Sequence, residues 1–452
     1  MTAEKSADSI AVLGLGQTGK SCVRFLKSQG KSVVAVDTRE NPPGLEELTD
    51  EFPDLEFRGG ALTEEILQGF DELVVSPGIS IKQKAIREAM EQGVSVIGDI
   101  TLFRRYVKKP IVAITGSNAK STVTTLVGKL LQDAGMNAVV AGNIGIPVME
   151  LLNQGIEADI YVLELSSFQL ETTEGLNAKV ATILNISEDH MDRYDDLADY
   201  ARAKQRIYEG CETAVINKDD VFSEPTTDVG NKLYFLASQP TEEEFGIVNR
   251  GEDIWLATDH SPIVKASELK VKGRHNQLNA LAAVAIGKAL GVPMESMVCT
   301  LNEFAGLSHR CQWVASIEAV DWFNDSKGTN VGATLAAING IGSELKGKIL
   351  LIAGGEGKDA DFCVLKDAVS NYVKTLILIG RDAPLIEKAL GSAVNTLVVN
   401  DLSEAVSSAA KMASRGDAVL LSPACASFDM FAGFEDRGNQ FMKLVHDMEP
   451  KH

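Results

Sequence analysis

Cysteine is scarce in this chain of 452 residues, and what there is lies scattered: Cys22, Cys211, Cys299, Cys311, Cys363 and Cys425, with no C-x-x-C pair. That spacing argues against a disulfide framework and reads as free thiols in a reducing cytoplasm. No apolar run reaches the length of a membrane span, and the first residues carry no apolar core for export, so membrane insertion is not expected. Positive charge is also short. Lys and Arg number 43 against 63 Asp and Glu, for a net charge of −20. So acidic a surface repels a phosphate backbone, which excludes nucleic acid as a partner class. A nucleotide ligand survives that argument, because local loops and Mg²⁺ can offset its charge. There is no strict repeat and no low-complexity tract. With 45% hydrophobic and 23% charged residues the chain is an ordinary globular protein, too long for one core and of about two to four domains.

The run Ile111-Val-Ala-Ile-Thr115 breaks at Gly116, and Ser117-Asn118-Ala119-Lys120-Ser121-Thr122 then opens a helical pattern. A strand, a short glycine loop and a helix N-terminus make an anion cradle: backbone N–H groups face the phosphates, Lys120 reaches the outer ones, and Ser121 can ligate Mg²⁺. The match to the general phosphate loop is incomplete, since Ile114 and Ala119 stand where that pattern has glycine. Ala119 also disfavours positive φ.

Strand signals at Ile10–Leu13, Ser32–Val36 and Glu72–Val75 alternate with a helix at Gly19–Ser28. A second segment starts near Gly98-Asp99, with Phe103–Pro110 read as a connector, strands at Asp159–Glu164 and Val180–Leu184, mixed turns and short strands over 213–270, and a helix at Asn276–Leu290. A third begins near Leu307, with strands at Ile349–Ile352, Leu376–Ile379, Leu397–Val399 and Ala418–Leu421. The expected fold is α/β in three domains: 1–98 Rossmann-like, 99–306 a mostly parallel ATPase-type sheet, and 307–452 Rossmann-like. Gly14-Leu-Gly16-Gln-Thr-Gly19 follows a strand, opens a helix and precedes Asp37 at the end of the next strand, which is the dinucleotide fingerprint. Its chemistry suits any nucleoside diphosphate. Both a UDP-sugar and a nicotinamide cofactor fit, the latter pointing to a dehydrogenase or a redox-sensing module. Ser76-Pro77-Gly78 would lie at the same sheet edge.

Glu164 ends an apolar strand in the segment that holds the phosphate loop, a natural place for a Mg²⁺ ligand. The loop around Glu188-Asp189-His190-Met-Asp192-Arg193 follows the next strand, and His190 there can ligate a second metal or accept a proton. Lys204, on an amphipathic helix, reads from composition as a surface lysine. In the third segment Asp325 or Ser326 fits a helix N-cap, and the loops at 325–330, 354–358 and 422–429 all follow strands, so they share one sheet edge.

Taken in order, Thr115–Thr122, Gly142-Asn143-Ile-Gly145, Glu164–Gln169, Asn185–Arg193, Gly273–Asn276, His309-Arg310 and Asp325–Asn330 closely resemble the motifs of the Mur ligases of peptidoglycan synthesis, over essentially the whole chain. Ala119 departs from them, since most members have glycine there. The resemblance implies a cytoplasmic, monomeric, ATP-dependent acid–D-amino-acid ligase. ATP would phosphorylate the carboxyl of UDP-N-acetylmuramoyl-L-alanine, and the amine of D-glutamate would attack the acyl phosphate. It implies two Mg²⁺ ions held by Ser121, Glu164, His190 and Lys204, with Lys204 as a carbamate and Lys120, His190 and Lys204 catalytic. Nucleotide contacts would come from Gly116 to Thr122, Asn276, Asn279, Arg310, Asp325 and Lys327. The UDP-sugar would take Gln17, Thr18, Asp37, Thr38, Ser76, Gly78, Asn143 and Gln169. D-Glutamate would take Thr329, Lys358, Ser427, Phe428 and Phe434.

Overall fold

The computed structural model describes residues 9–191, 193–251, 253–258, 261–271, 273–343, 345–357 and 360–448. The described chain forms two compact units. Of the described residues, one unit takes those within 9–236, 240–246 and 281–297, and the other those within 237–239, 247–280 and 298–448.

The first unit carries two parallel sheets. In the N-terminal one the strands lie in the order Glu56–Gly59, Val33–Asp37, Ile10–Leu13, Glu72–Val75, Ser95–Ile97. The three central strands are apolar runs buried along their whole length, as expected for strands covered on both faces. The order turns back at Ile10–Leu13, and such a switch point leaves a crevice at the carboxyl ends. Gly14 and Gly16 lead from that strand into the helix Gln17–Ser28, which buries Cys22, Val23, Phe25 and Leu26. Gly14 takes φ +86°, and Gly19 passes so close that a Cβ there would lie 1.8 Å from the Gly14 carbonyl oxygen.

In the second sheet of this unit the order is Asn231–Phe235, Thr213–Asn217, Val180–Ile183, Ile111–Thr115, Ile160–Glu164, Ala138–Gly142, with Glu244 and Phe245 pairing on Tyr234 and Phe235 at its edge. The pairs along it are parallel. Helix Lys120–Asp133 turns Val123, Leu126, Val127, Leu130 and Leu131 into the core. The expected connector at Phe103–Pro110 is corrected here. Helix Asp99–Tyr106 occupies its first half, because Ile100, Leu102 and Phe103 have a buried face to fill, and Phe103 meets Tyr161 edge to face at 5.2 Å.

The second unit holds the antiparallel hairpin Asp253–Thr258 with Ser261–Lys265 and a six-stranded sheet. That sheet runs Gln312–Ile317, Val320–Asn324, Ala418–Leu421, Ile349–Gly354, Val373–Ile379, Asn395–Val398, antiparallel at the first pair and parallel thereafter. Alternate residues of its strands feed two cores. Leu351, Leu376 and Leu420 face one, and Leu350, Ile352 and Leu421 face the other with Trp322 and Phe441.

Gly19→Ala would push the Gln17–Ser28 helix off the Gly14 carbonyl. The expected cost is about 1–3 kcal/mol, as for other overpacking changes, read as an earlier midpoint in urea unfolding. An unchanged midpoint would show that this approach is not a packing constraint.

Candidate functional site

In the N-terminal sheet, three loops leave the carboxyl edge and enclose a cleft of about 500 Å³. Gln17, Thr18, Asp37, Thr38, Ser76 and Gly78 line it, as do Asn143 and Gln169 from the second sheet of the same unit, so all eight residues expected around a UDP-sugar meet there. Asp37 is buried. Its Oδ2 accepts from the Leu15 N–H at 2.8 Å, and the Arg39 guanidinium clasps both oxygens at 2.8 Å. Burial raises the carboxyl, but Arg39 and the backbone N–H groups outweigh it and hold it at about 2. Arg39 also lines the cleft and was not foreseen; its place two residues after the strand-end acid was the available signal. The Ser76 hydroxyl donates to the Gly14 carbonyl at 2.7 Å, tying two loops together.

On the neighbouring sheet the phosphate loop follows Ile111–Thr115. Gly116 takes φ +155° and Ala119 takes φ +65°, a left-handed alanine as the N-cap of Lys120–Asp133. The loop is latched to the one after Val180–Ile183. The Ser117 N–H donates to the Asn185 carbonyl at 2.8 Å, the Asn118 N–H to Asn185 Oδ1 at 2.8 Å, and the Ser187 N–H to Ser117 Oγ at 2.9 Å. Lys120 Nζ folds over the loop, donating to the Gly116 and Ser117 carbonyls at 2.8 and 2.9 Å. Ser121 is buried at the first turn of the helix, with Thr122 beside it.

Glu164 ends the adjacent strand and is 2% exposed. Its Oε1 accepts from Asn143 Nδ2 at 2.8 Å; its Oε2 is buried with no hydrogen-bond partner. Gly142 makes this packing possible, since a Cβ there would meet the Glu164 carbonyl oxygen at 2.3 Å. Lys204, read from composition as a surface residue, is 1% exposed. Its Nζ donates to Thr115 Oγ1 at 3.1 Å and lies 4.7 Å from the Tyr200 ring centroid. Burial pushes its pKa well below the usual lysine value, and the charge of Lys120 pushes it further, against the pull of Asp189 and Glu164. The sequence missed this because the helix Leu197–Gln205 is buried on the face that carries Tyr200, Ala201, Ala203 and Lys204.

His190 has φ +57°, a half-exposed side chain and a ring 4.7 Å from that of Phe168. Among the described residues no group of three or more His, Cys, Asp or Glu side chains is gathered as a metal cluster. Mg²⁺ needs few protein ligands, since phosphate oxygens and water fill the rest of its shell. An unpartnered carboxylate oxygen in the neighbourhood of Lys120 is the donor such a site requires, so Mg²⁺ with a nucleotide fits the residues present. Asp192 lies outside the described residues. The Arg193 guanidinium pairs with Glu171 at 2.6 Å and donates to the Pro77 and Ile79 carbonyls at 2.9 and 3.3 Å, joining the His190 loop to the nucleotide cleft.

In the second unit, three loops leave adjacent strand ends, as expected. Asp325 is not a helix N-cap. Asn330 caps Val331–Gly342, while Asp325 is buried, accepting from Ser422 Oγ at 2.7 Å and the Cys311 N–H at 3.1 Å, and burial raises it to about 6. Ser326, the other candidate cap, donates its hydroxyl to the Phe434 carbonyl at 2.8 Å. Lys327 lies 4.9 Å from the Phe434 ring centroid. Ser427 is buried and Phe428 is 70% exposed. Thr329 is half-buried in the same loop as Lys327, and Arg310 lies beside the buried His309. Asn276 and Asn279 face each other on the Arg274–Ala289 helix, joined by a 3.1 Å hydrogen bond. Lys358 lies outside the described residues. Nothing in the sequence marks Arg437. It is 1% exposed and donates to Ser326 Oγ and the Ser326, Cys425 and Ala426 carbonyls, at 3.0, 2.8, 3.2 and 3.4 Å, binding two of the loops together.

A nucleotide cleft, a phosphate loop and a loop-bearing third sheet define a multidomain nucleotide-dependent α/β protein, and comparison with known proteins gives its family. The Mur ligase MurD-like N-terminal domain matches residues 8–98, the Mur ligase middle domain 114–287, and the Mur ligase glutamate ligase domain 309–425. The chain belongs to the Mur ligase family. Among its relatives are the UDP-N-acetylmuramoylalanine–D-glutamate ligases of Pseudomonas aeruginosa, 50% identical over 97% of each chain, and Marinobacter nauticus, 51% identical over 97% of this chain and 98% of that one. A pseudomurein peptide ligase type C from Methanothermus fervidus shares the fold, with TM-score 0.60 at 19% identity over 98% of this chain and all of that one. The family match sets aside the nicotinamide reading of Gly14–Gly19.

Ala119 in the left-handed region costs on the order of 1 kcal/mol that glycine does not incur. Ala119→Gly is therefore expected to raise stability by about that amount, read as a later urea midpoint. A loss of stability would show that the alanine methyl packs better than the backbone suffers.

Proposed function

We propose that this chain joins the amine of D-glutamate to the carboxyl of UDP-N-acetylmuramoyl-L-alanine with hydrolysis of ATP, in the cytoplasm, as a step of peptidoglycan synthesis. The observation that carries this reading is Glu164: a buried carboxylate with one unpartnered oxygen, beside the phosphate loop and bonded through Asn143 to the wall of the N-terminal cleft. The cleft suits a uridine diphosphate, with glycine backbone toward the pyrophosphate and Asp37 and Thr38 toward the nucleoside. The phosphate loop suits ATP, with Lys120 toward its outer phosphates. The C-terminal loops suit the amino acid, with Thr329, Ser427, Phe428 and Phe434 at hand and Lys358 as the cation expected for a carboxylate.

ATP and Mg²⁺ supply phosphoryl activation of the acyl carboxyl and screen the charge of two anions brought together. Ser121, Glu164, His190 and Lys204 are the residues that would hold the metals. An ammonium at Lys204 would repel a cation held by Glu164, whereas a carbamate formed with CO₂ reverses the sign and offers oxygen ligands. The burial of the amine beside Lys120 supports this, because carbamylation needs the neutral amine.

Phosphate release with ATP, UDP-N-acetylmuramoyl-L-alanine and D-glutamate should far exceed that with L-glutamate or meso-diaminopimelate in place of D-glutamate; equal rates would sink the assignment. Lys204→Ala should be nearly inactive and recover with short-chain carboxylic acids, which return the missing oxygens. Full activity in Lys204→Arg would refute the carbamate.

A further inference from the structure

Asp99 is a buried acid for which the reaction above has no use. It opens the helix Asp99–Tyr106, is 2% exposed, and has a carboxyl oxygen, Oδ1, with no hydrogen-bond partner. Its Oδ2 accepts from Gln169 Nε2 at 3.0 Å. Gln169 lines the N-terminal cleft from the second sheet's side of the unit, as do Gly142, Asn143 and Gly145. The other end of its amide is also taken, for Oε1 accepts from the Ser166 N–H at 3.1 Å in a capping box. An amide nitrogen carries two hydrogens, and Asp99 takes one. The other hydrogen is unclaimed by these bonds, and the carboxylate and the Ser166 N–H together keep the amide from turning over.

We propose that Asp99 is a positioning residue for the sugar–peptide end of the UDP-linked substrate, acting by holding Gln169 as a hydrogen-bond donor toward it. This rests on the reading that the cleft takes UDP-N-acetylmuramoyl-L-alanine. An amide at position 99 offers Gln169 a donor as well as an acceptor, so it would compete with the Ser166 N–H for the Gln169 oxygen and loosen the hold on its nitrogen. A carboxylate, which only accepts, allows one orientation. The ionised form is also the less comfortable one in this place. Burial raises Asp99 to about 6, against the opposing bonds from Gln169 and the Ile100 N–H. The titratable neighbour on the packed Gln17–Ser28 helix is the buried Cys22 thiol, which burial and then Asp99 push upward, so it stays neutral. As pH falls through about 6 the acid gains a hydrogen and loses its charge, so the charge-assisted bond from Gln169 Nε2 weakens to a neutral one.

The test is calorimetric binding of UDP-N-acetylmuramoyl-L-alanine and of UDP alone to the full chain, without ATP. Asp99→Asn should weaken the sugar–peptide substrate about tenfold, the scale of one oriented hydrogen bond, and leave UDP unchanged. In the wild type, affinity for the substrate should fall between pH 7.5 and 5.5, and in Asp99→Asn that fall should vanish. Against a Gln169→Ala background, Asp99→Asn should change nothing further. Equal weakening of both ligands, an unchanged substrate affinity, or an additive effect in the double variant would each overturn the inference. Should Asp99→Asn fail to fold, Gln169→Ala in the pH experiment decides alone: a surviving fall near pH 6 overturns it. Failure of the wild type to bind either ligand would instead strike the reading of the cleft.

Discussion

Strand register is the constraint on which the site depends. Ile114 pairs with Glu164, and Thr115 pairs with Ile183. Because these strands are parallel, both neighbours end level with the phosphate loop and on the same edge. The first pairing delivers a carboxylate to the loop's side. The second delivers Asn185 and Ser187, whose backbone and side chain hold the loop in place. A slip of one residue would turn Glu164 to the other face of the sheet and leave the loop without its latch. The anion cradle is therefore set less by its own glycine than by the two strands beside it, which is how it tolerates Ala119 in a left-handed conformation.

The same logic explains what the sequence reveals. Buried parallel strands are nearly continuous apolar runs, so Ile10–Leu13, Glu72–Val75 and Ala418–Leu421 could be read to the residue. Loops that follow such strands must fall on one edge, and the residues that line the N-terminal cleft could be gathered from that rule and the family motifs. What could not be read depends on which face of a helix packs inward. Lys204 appears as solvent-facing because nothing in Tyr200–Tyr208 marks the face that Thr115 covers. Phe103–Tyr106 reads as a linker because its short helix carries two arginines and a tyrosine in its last turn. Asp325 satisfies the local rule for a cap, but tertiary partners, Ser422 and the Cys311 N–H, claim it first, and Asn330 takes the cap five residues later. Arg437 is invisible for the same reason: a lone arginine in a charged helix gives no hint that three backbone carbonyls converge on it.

Within the first unit the N-terminal cleft and the sheet that carries the phosphate loop are linked by shared side chains. Asn143 lines the one and holds the acid of the other. Arg193 reaches from the His190 loop to the carbonyls of Pro77 and Ile79. Gln169 lines the cleft, braced by the cap of its own helix. Occupancy of the cleft and the state of the loop are thus joined by a few short polar contacts rather than by a distant rearrangement.

The shared amide of Asn143 bears on how such a protein would be inhibited. A small molecule that entered the cleft and drew that side chain toward itself would leave both Glu164 oxygens without a donor, in a place closed to water. Its effect would register at the phosphate loop although it never touched it, so on the reading proposed above steady-state analysis would show competition with one substrate and mixed behaviour toward the other. Compounds built for the cleft alone, stopping short of Asn143, would lack that second effect at equal affinity.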